Sequence, residues 1–266
     1  MDHRQAGRYW EGNAAAWTQL SRQGWDVYRD AVNTPGFLNL LPDVAGLRGL
    51  DVGCGDGHNT RLFAGRGARM DAVDVAPTFL RFAGEDEQRE PLGIRYTAAS
   101  ALELPFPSGH FDFVTAVMSL MDMPGPDLAL REAHRVLRAG GFLQFSILHP
   151  CFMPPHRRLV RDCDGTVRAV EVGRYFDRPD GEIERWIFSA APAEAKAGLR
   201  EFEVPRFYRT LSEWLNAIVD AGFAVERLAE PRADEETAKR VPAVADTRIA
   251  AYFLHVRCRK LRSRIG

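Results

Sequence analysis

Short apolar runs alternate with stretches of helical period through the middle of the chain. Leu47, Leu50 and Val52 mark a first strand over 47–53, and residues 58–66 follow as a helix. Residues 68–74, 94–98 and 111–118 read as three further strands, and Phe142 to Leu148 as a fifth. Between them, 77–88 and 126–138 carry helical patterns, the second with Leu128, Leu130, Ala133, Val136 and Leu137 on its inner side. Strands alternating with helices predict a parallel sheet wound on both faces. Upstream, Trp10, Ala14, Trp17 and Leu20 fall at helical spacing, and Val27, Ala31 and Val32 suggest a second helix. Pro35-Gly36 is expected to break the chain before Phe37.

After the fifth strand the pattern changes. Alternating runs at Thr166–Val172 and Glu182–Phe188, bounded by Asp164-Gly165 and Pro179-Asp180-Gly181, predict an antiparallel insertion. A structureless loop of this length is improbable in a compact domain. Leu211, Trp214, Leu215, Ile218 and Val219 then form one apolar helix face, capped by Thr210 or Ser212 and ended by Gly222. Residues 223–228 and 250–256 read as the last two strands. Arg257, Arg259, Lys260, Arg262 and Arg264 read as a solvated basic terminus.

Composition narrows the partners. The 266 residues are 45% hydrophobic, enough for one large core, and the formal net charge is −1. No global field recruits nucleic acid or an anionic membrane. Lys196, Lys239 and Lys260 are the only lysines, so arginine supplies most of the 35 basic residues. Cys54, Cys151, Cys163 and Cys258 lie far apart without zinc spacing, which reads as reduced thiols and no metal. The polar start Met1-Asp2-His3-Arg4-Gln5 lacks a signal-peptide pattern, and no apolar run reaches the roughly 20 residues of a membrane span. A cytoplasmic protein is expected; oligomeric state is not legible.

The chemistry centres on Asp51-Val52-Gly53-Cys54-Gly55-Asp56-Gly57 between the first strand and helix. Glycine permits positive φ and close approach of backbone to a ligand, and a helix start offers free N–H groups. The dinucleotide fingerprint G-x-G-x-x-G needs a glycine at position 58, where His58 stands. The spacing G-x-G-x-G behind an acid resembles motif I of the class I S-adenosylmethionine-dependent methyltransferases. Ala101-Leu102-Glu103-Leu104-Pro105-Phe106, then Phe111-Asp112-Phe113-Val114, resembles that family's adenine-side loop, and Leu137 to Gly141 resembles its turn into the fifth strand. The flanks Tyr9-Trp10, Tyr208 to Ser212 and Glu230-Pro231 are similar to a bacterial subgroup acting on small molecules.

The resemblance implies an α/β fold: a doubly wound, seven-stranded, mostly parallel sheet, Rossmann-like, with an N-terminal helical cap and an antiparallel β insertion after strand 5. It implies a single domain made of a cap (1–45), a cofactor core (46–148), a substrate-pocket insertion (149–209) and a C-terminal helix with two strands (210–266). S-adenosylmethionine is the implied cofactor and S-adenosylhomocysteine the product. Asp74, ending the second strand roughly 20 residues after the turn, is placed to hold both ribose hydroxyls. The cofactor site implied is Asp51, Gly53, Cys54, Gly55, Gly57 and Asn59 at the turn, Asp74 and Val75, then Ser100, Ala101 and Leu102, then Met118 and Ser119 beneath the methyl group. Ser100 stands where the family commonly has an acid. Arg29 is either the partner of the methionine carboxylate or a solvated side chain. Cys54 reads as a packing residue rather than a nucleophile.

For the acceptor, the resemblance implies a small molecule; charge and hydropathy lead us to expect no nucleic-acid and no membrane partner. Asp122, His149, His156, Tyr175 and Tyr208 are the titratable candidates at the mouth. His149 is the leading expectation for a base, since it follows strand five and titrates near neutrality; the alternative is that it bonds local backbone before Pro150. Asp122 is the second catalytic candidate. Two rival functions remain at this point: a nicotinamide oxidoreductase on a similar sheet, and a cofactor-binding module without catalysis.

Overall fold

The computed structural model describes residues 1–262. Helix α1 (His3–Arg22) opens the chain on a capping box, Asp2 with Gln5. A π-helical turn (Arg29–Asn33) leads directly into α2 (Thr34–Leu40). Pro35-Gly36 therefore does not break the chain, contrary to expectation. Pro35 sits in the first turn of α2, where its missing N–H costs nothing. Gly36 serves close approach instead, since a Cβ there falls 2.5 Å from Pro231 Cβ.

The core then alternates as the pattern predicts: β1 (Arg48–Val52), α3 (His58–Gly65), β2 (Arg69–Asp74), α4 (Pro77–Arg89), β3 (Arg95–Ala98), β4 (Phe111–Val117), α5 (Pro126–Val136) and β5 (Leu137–Leu148). The segment 137–141 belongs to β5 itself, with Gly140 at φ +80° and a register shift opposite Phe111/Phe113. Two hairpins follow: β6 (His156–Arg161) with β7 (Val167–Gly173), and β8 (Asp180–Trp186) with β9 (Phe202–Phe207), the latter enclosing a short α6 (Ala193–Lys196). The chain ends through α7 (Leu211–Asp220), β10 (Phe223–Ala229), α8 (Glu235–Arg240) and β11 (Phe253–Lys260).

The seven-stranded sheet has the order β10-β11-β5-β4-β1-β2-β3, with β11 antiparallel to both neighbours and the inner strands parallel. This is the doubly wound, Rossmann-like sheet that was expected, with helices on both faces and an antiparallel insertion. One apolar cluster lies between the sheet, α5 and α7 (Leu50, Phe145, Leu130, Ile218), a second beneath α2 and α3 (Phe37, Phe63, Phe113). Thr210, one of the two expected caps, closes α7 reciprocally with Glu213, but Val219, like Leu128 of α5, is exposed rather than on the buried face. The basic terminus also needs correction. Arg257, Arg259 and Lys260 lie inside β11, where Arg259 pairs with Glu226 at 2.7 Å and Lys260 Nζ donates to the carbonyls of His134 and Leu137. Arg264 lies outside the described residues.

The leader and the insertion meet above the sheet's carboxyl edge. Trp17 packs edge-on to Trp186 and Phe188 at 5.5 and 4.9 Å between centroids. The Asn13 amide both donates to the Glu203 carbonyl and accepts its N–H, each at 2.9 Å. Glu11 accepts from the Thr78 N–H and hydroxyl, capping α4 from another helix.

Candidate functional site

Strand order reverses between β1 and β4, and their carboxyl ends open there as a crevice, the place where ligands bind in such sheets. A cavity of about 680 Å³ fills it. Its floor is the turn after β1. Gly53, Gly55 and Gly57 have φ of +69°, +55° and +83°, which only glycine adopts without strain. Gly53 is further required by the loop after β4, since a Cβ would sit 2.4 Å from Ser119 Cβ. Ser119 closes that contact by donating to the Val52 carbonyl at 2.7 Å. Gly55 differs: a Cβ there meets nothing within 4 Å, and the residue lines the cavity. Bare backbone thus faces open space of ligand size.

Asp74 ends β2 against this turn. Its Oδ2 accepts the Gly55 N–H and its Oδ1 the Ala76 N–H, both at 2.9 Å. Burial raises its pKa, against the backbone donors that lower it. Each oxygen keeps a further lone pair for a hydroxyl. Val75, Ser100, Ala101 and Leu102 line the adjacent wall. The Ser100 hydroxyl accepts the Leu102 N–H at 3.2 Å, so it works as a turn former.

Asp51 lies deeper and is almost closed off, at 1% exposure. Its carboxylate accepts Thr60 and Thr115 hydroxyls at 2.6 and 2.8 Å, and burial pushes its pKa up to about 6. Its side chain braces β1, α3 and β4 beneath the turn. Asn59 lines the cavity while accepting the Thr34 hydroxyl at 3.0 Å, which ties the leader to α3. Cys54 also lines it, with a thiol pushed well up by burial, consistent with packing. Arg29 is not a solvated side chain. It is half-buried on the cavity wall, paired with Asp30 at 2.7 Å and near Asp26 at 3.9 Å. Any ligand carboxylate there shares Arg29 with these two acids.

At the other end, Met118 (φ +55°) and Ser119 lead into a 3-10 turn, Leu120–Asp122. Asp122 is buried and lines the cavity, and Arg206 from β9 pairs with it at 3.2 Å. Desolvation raises the Asp122 pKa to about 7, against the pull of Arg206. Arg206 also binds Glu184 at 2.7 Å, and Glu184 accepts the Tyr208 hydroxyl. Trp186, Phe188, Tyr28 and Tyr252 complete an aromatic wall, and the buried Trp186 Nε1 and Arg157 Nε donors have no partner among the described residues.

His149 requires correction as the leading base. It follows β5 as expected, but the chain turns there, and the ring is buried outside the cavity. Nε2 pairs with Glu230 at 2.8 Å and Nδ1 accepts the Cys151 N–H at 3.2 Å, a local structural role. His156 lies on the exposed face of β6 against Glu171, and the Tyr175 hydroxyl accepts the Leu211 N–H, so neither lines the cavity. Of the five titratable candidates, Asp122 and Tyr208 reach it. Arg206 and Glu184 were missed. Alternation along β8 and β9 puts both on one hairpin face, but nothing in the sequence says which face is inward. Among the described residues, no three His, Cys, Asp or Glu side chains converge as a metal site, and no helix is long and apolar enough to cross a membrane.

Residues 50–145 match the family model described as a methyltransferase domain. The chain is 29% identical over 209 residues to a ubiquinone biosynthesis O-methyltransferase of Xanthomonas oryzae pv. oryzae, covering 75% of this chain and 82% of the relative. Among solved structures, it is 27% identical to an S-adenosylmethionine-dependent methyltransferase from Mesorhizobium loti, with a TM-score of 0.68 over 85% of this chain and 96% of that one. The 1,6-didemethyltoxoflavin-N1-methyltransferase of Burkholderia thailandensis, with bound 1,6-didemethyltoxoflavin and S-adenosylhomocysteine, shares the fold at 18% identity and a TM-score of 0.58, covering 98% and 91%. The match over residues 50–145 is to a methyltransferase domain and so favours the methyltransferase reading over the nicotinamide alternative.

Proposed function

We propose that the chain is a class I S-adenosylmethionine-dependent methyltransferase that methylates a small, flat acceptor at a hydroxyl group. The whole chain acts as one domain in this reading, in a bacterial cytoplasm like that of its bacterial relatives. The observation that carries it is the single cavity joining the glycine turn and Asp74 to Asp122, Arg206 and the aromatic wall. One space would thus take cofactor and acceptor end to end.

When bound, the cofactor supplies a methyl group already activated on a sulfonium. The chain's share is to bind, orient and exclude water. Asp74 would hold the ribose, the backbone of 53–57 the amino-acid portion, and Ala101 and Leu102 the adenine. Met118 and Ser119 form the floor at the reacting end. Trp186, Tyr28 and Tyr252 favour a planar acceptor. Asp122 would take the proton of the acceptor hydroxyl, leaving that oxygen free as nucleophile toward the methyl group the bound cofactor would supply. A carboxylate with a pKa near operating pH suits that task. The named O-methyltransferase relative supports oxygen as the nucleophile.

Labelled S-adenosylmethionine, incubated with a panel of phenols, catechols and aromatic amines, tests this reading. Methyl label in a phenolic product supports it. Binding of NADH without binding of S-adenosylmethionine, or label only in amines, overturns it.

A further inference from the structure

The three buried acids of the cavity differ in what holds them. Asp74 has two backbone N–H donors and Asp51 two hydroxyls. Asp122, by contrast, has one hydrogen-bond donor among the described residues, the Arg206 guanidinium. That guanidinium is itself buried and divided between Asp122 and Glu184. Glu184 sits diagonally across the hairpin, since Glu182 is in register with Arg206 and Glu184 with Val204. A diagonal pair is within reach of a long side chain. The Tyr208 hydroxyl satisfies the remaining Glu184 oxygen. All four side chains line the cavity.

We propose that Arg206 and Glu184 are positioning residues for Asp122. Arg206 aims the carboxylate and keeps it able to ionise; Glu184 limits how strongly Arg206 does so. The inserted hairpin then sets the proton-accepting strength of a group on the sheet. This rests on the reading of Asp122 as the group that takes the acceptor's proton. Energetics favour a functional origin, because buried ion pairs contribute little net stability over apolar packing. A third charge on the same guanidinium serves tuning better than stapling. Arg206 and Glu184 are the charged groups that act on Asp122. Tyr208 stands behind Glu184, while Asp127 of α5 and Arg209 of the β9–α7 link pair with each other at 2.6 Å.

The titration needs no acceptor. The Asp122 carboxyl is titrated by 13C NMR in the protein saturated with S-adenosylhomocysteine, its resonance assigned through Asp122→Asn. Glu184→Gln should move the midpoint down by on the order of half a unit, and Arg206→Met should move it up by more. Arg206→Lys should restore it in part. Cofactor affinity and melting temperature verify that each variant folds, and Glu184→Gln decides alone if the arginine variants do not. A midpoint indifferent to Glu184→Gln in a folded protein overturns the linkage. Turnover unaffected by Asp122→Asn would instead remove the base reading, whatever the titration shows.

Discussion

Asp74 and Gly55 meet across the mouth of the glycine turn, carboxylate oxygen to amide N–H at 2.9 Å. The bond orients the acid without exhausting it, since a carboxylate oxygen accepts more than one donor. Asp74→Ala should therefore weaken S-adenosylmethionine binding at least about tenfold, ~1.4 kcal/mol. Isothermal titration measures it, and unchanged affinity would take Asp74 out of the site.

Two glycines two residues apart should fail differently. Gly53→Ala drives a Cβ into Ser119 and should destabilise the fold by several kcal/mol, read as a lowered denaturation midpoint. Gly55→Ala meets open space and should cost only about 1 kcal/mol of stability for its positive φ. The added methyl group stands where ligand belongs, so affinity for S-adenosylhomocysteine should fall sharply in a folded protein. Equal loss of stability in both variants would contradict this division.

His149→Ala should leave cofactor affinity and turnover within about twofold while lowering stability by about 1–2 kcal/mol, through loss of the Glu230 and Cys151 contacts. Urea unfolding beside a methylation assay separates the two effects. A large fall in turnover at unchanged stability would return His149 to the chemistry.

Asp51 makes stability depend on pH. Its folded pKa is about 6, above the ordinary carboxylate value of about 4. The folded state holds that proton more tightly, so stability is greatest below the unfolded value and falls as pH rises toward 6. The loss approaches roughly 3 kcal/mol and is complete above it. Asp26 and Asp122, also raised by burial, act in the same direction. In Asp51→Asn the slope of melting temperature between about pH 4 and 6 should flatten, because the amide does not titrate. An unchanged slope would assign the pH dependence to other groups.

Much of this architecture was legible in the sequence, and the failures have physical causes. The glycine turn, Asp74 and the sheet were readable because each is encoded locally, by glycine spacing or by apolar period. Gly36 misled because a glycine chosen for contact with Pro231 looks the same as one chosen for a turn. Arg257, Arg259 and Lys260 misled because their partners, Glu226 and two carbonyls, arrive from distant segments. His149 was placed by proximity along the chain, whereas the turn at 149–153 directs its ring elsewhere. Arg206 and Glu184 take their meaning from Asp122, which no local pattern connects to them.

The Asn13 amide, seated on the Glu203 peptide, has one more consequence. A two-stranded ribbon leaves its outer rim of peptide groups ready to recruit a stray strand, a route to aggregation. Here a single side chain from the first helix imitates that strand and takes its place. The ribbon bearing Arg206 is thus fenced by the chain's own beginning, and losing Asn13 would trade an ordered wall for a sticky margin.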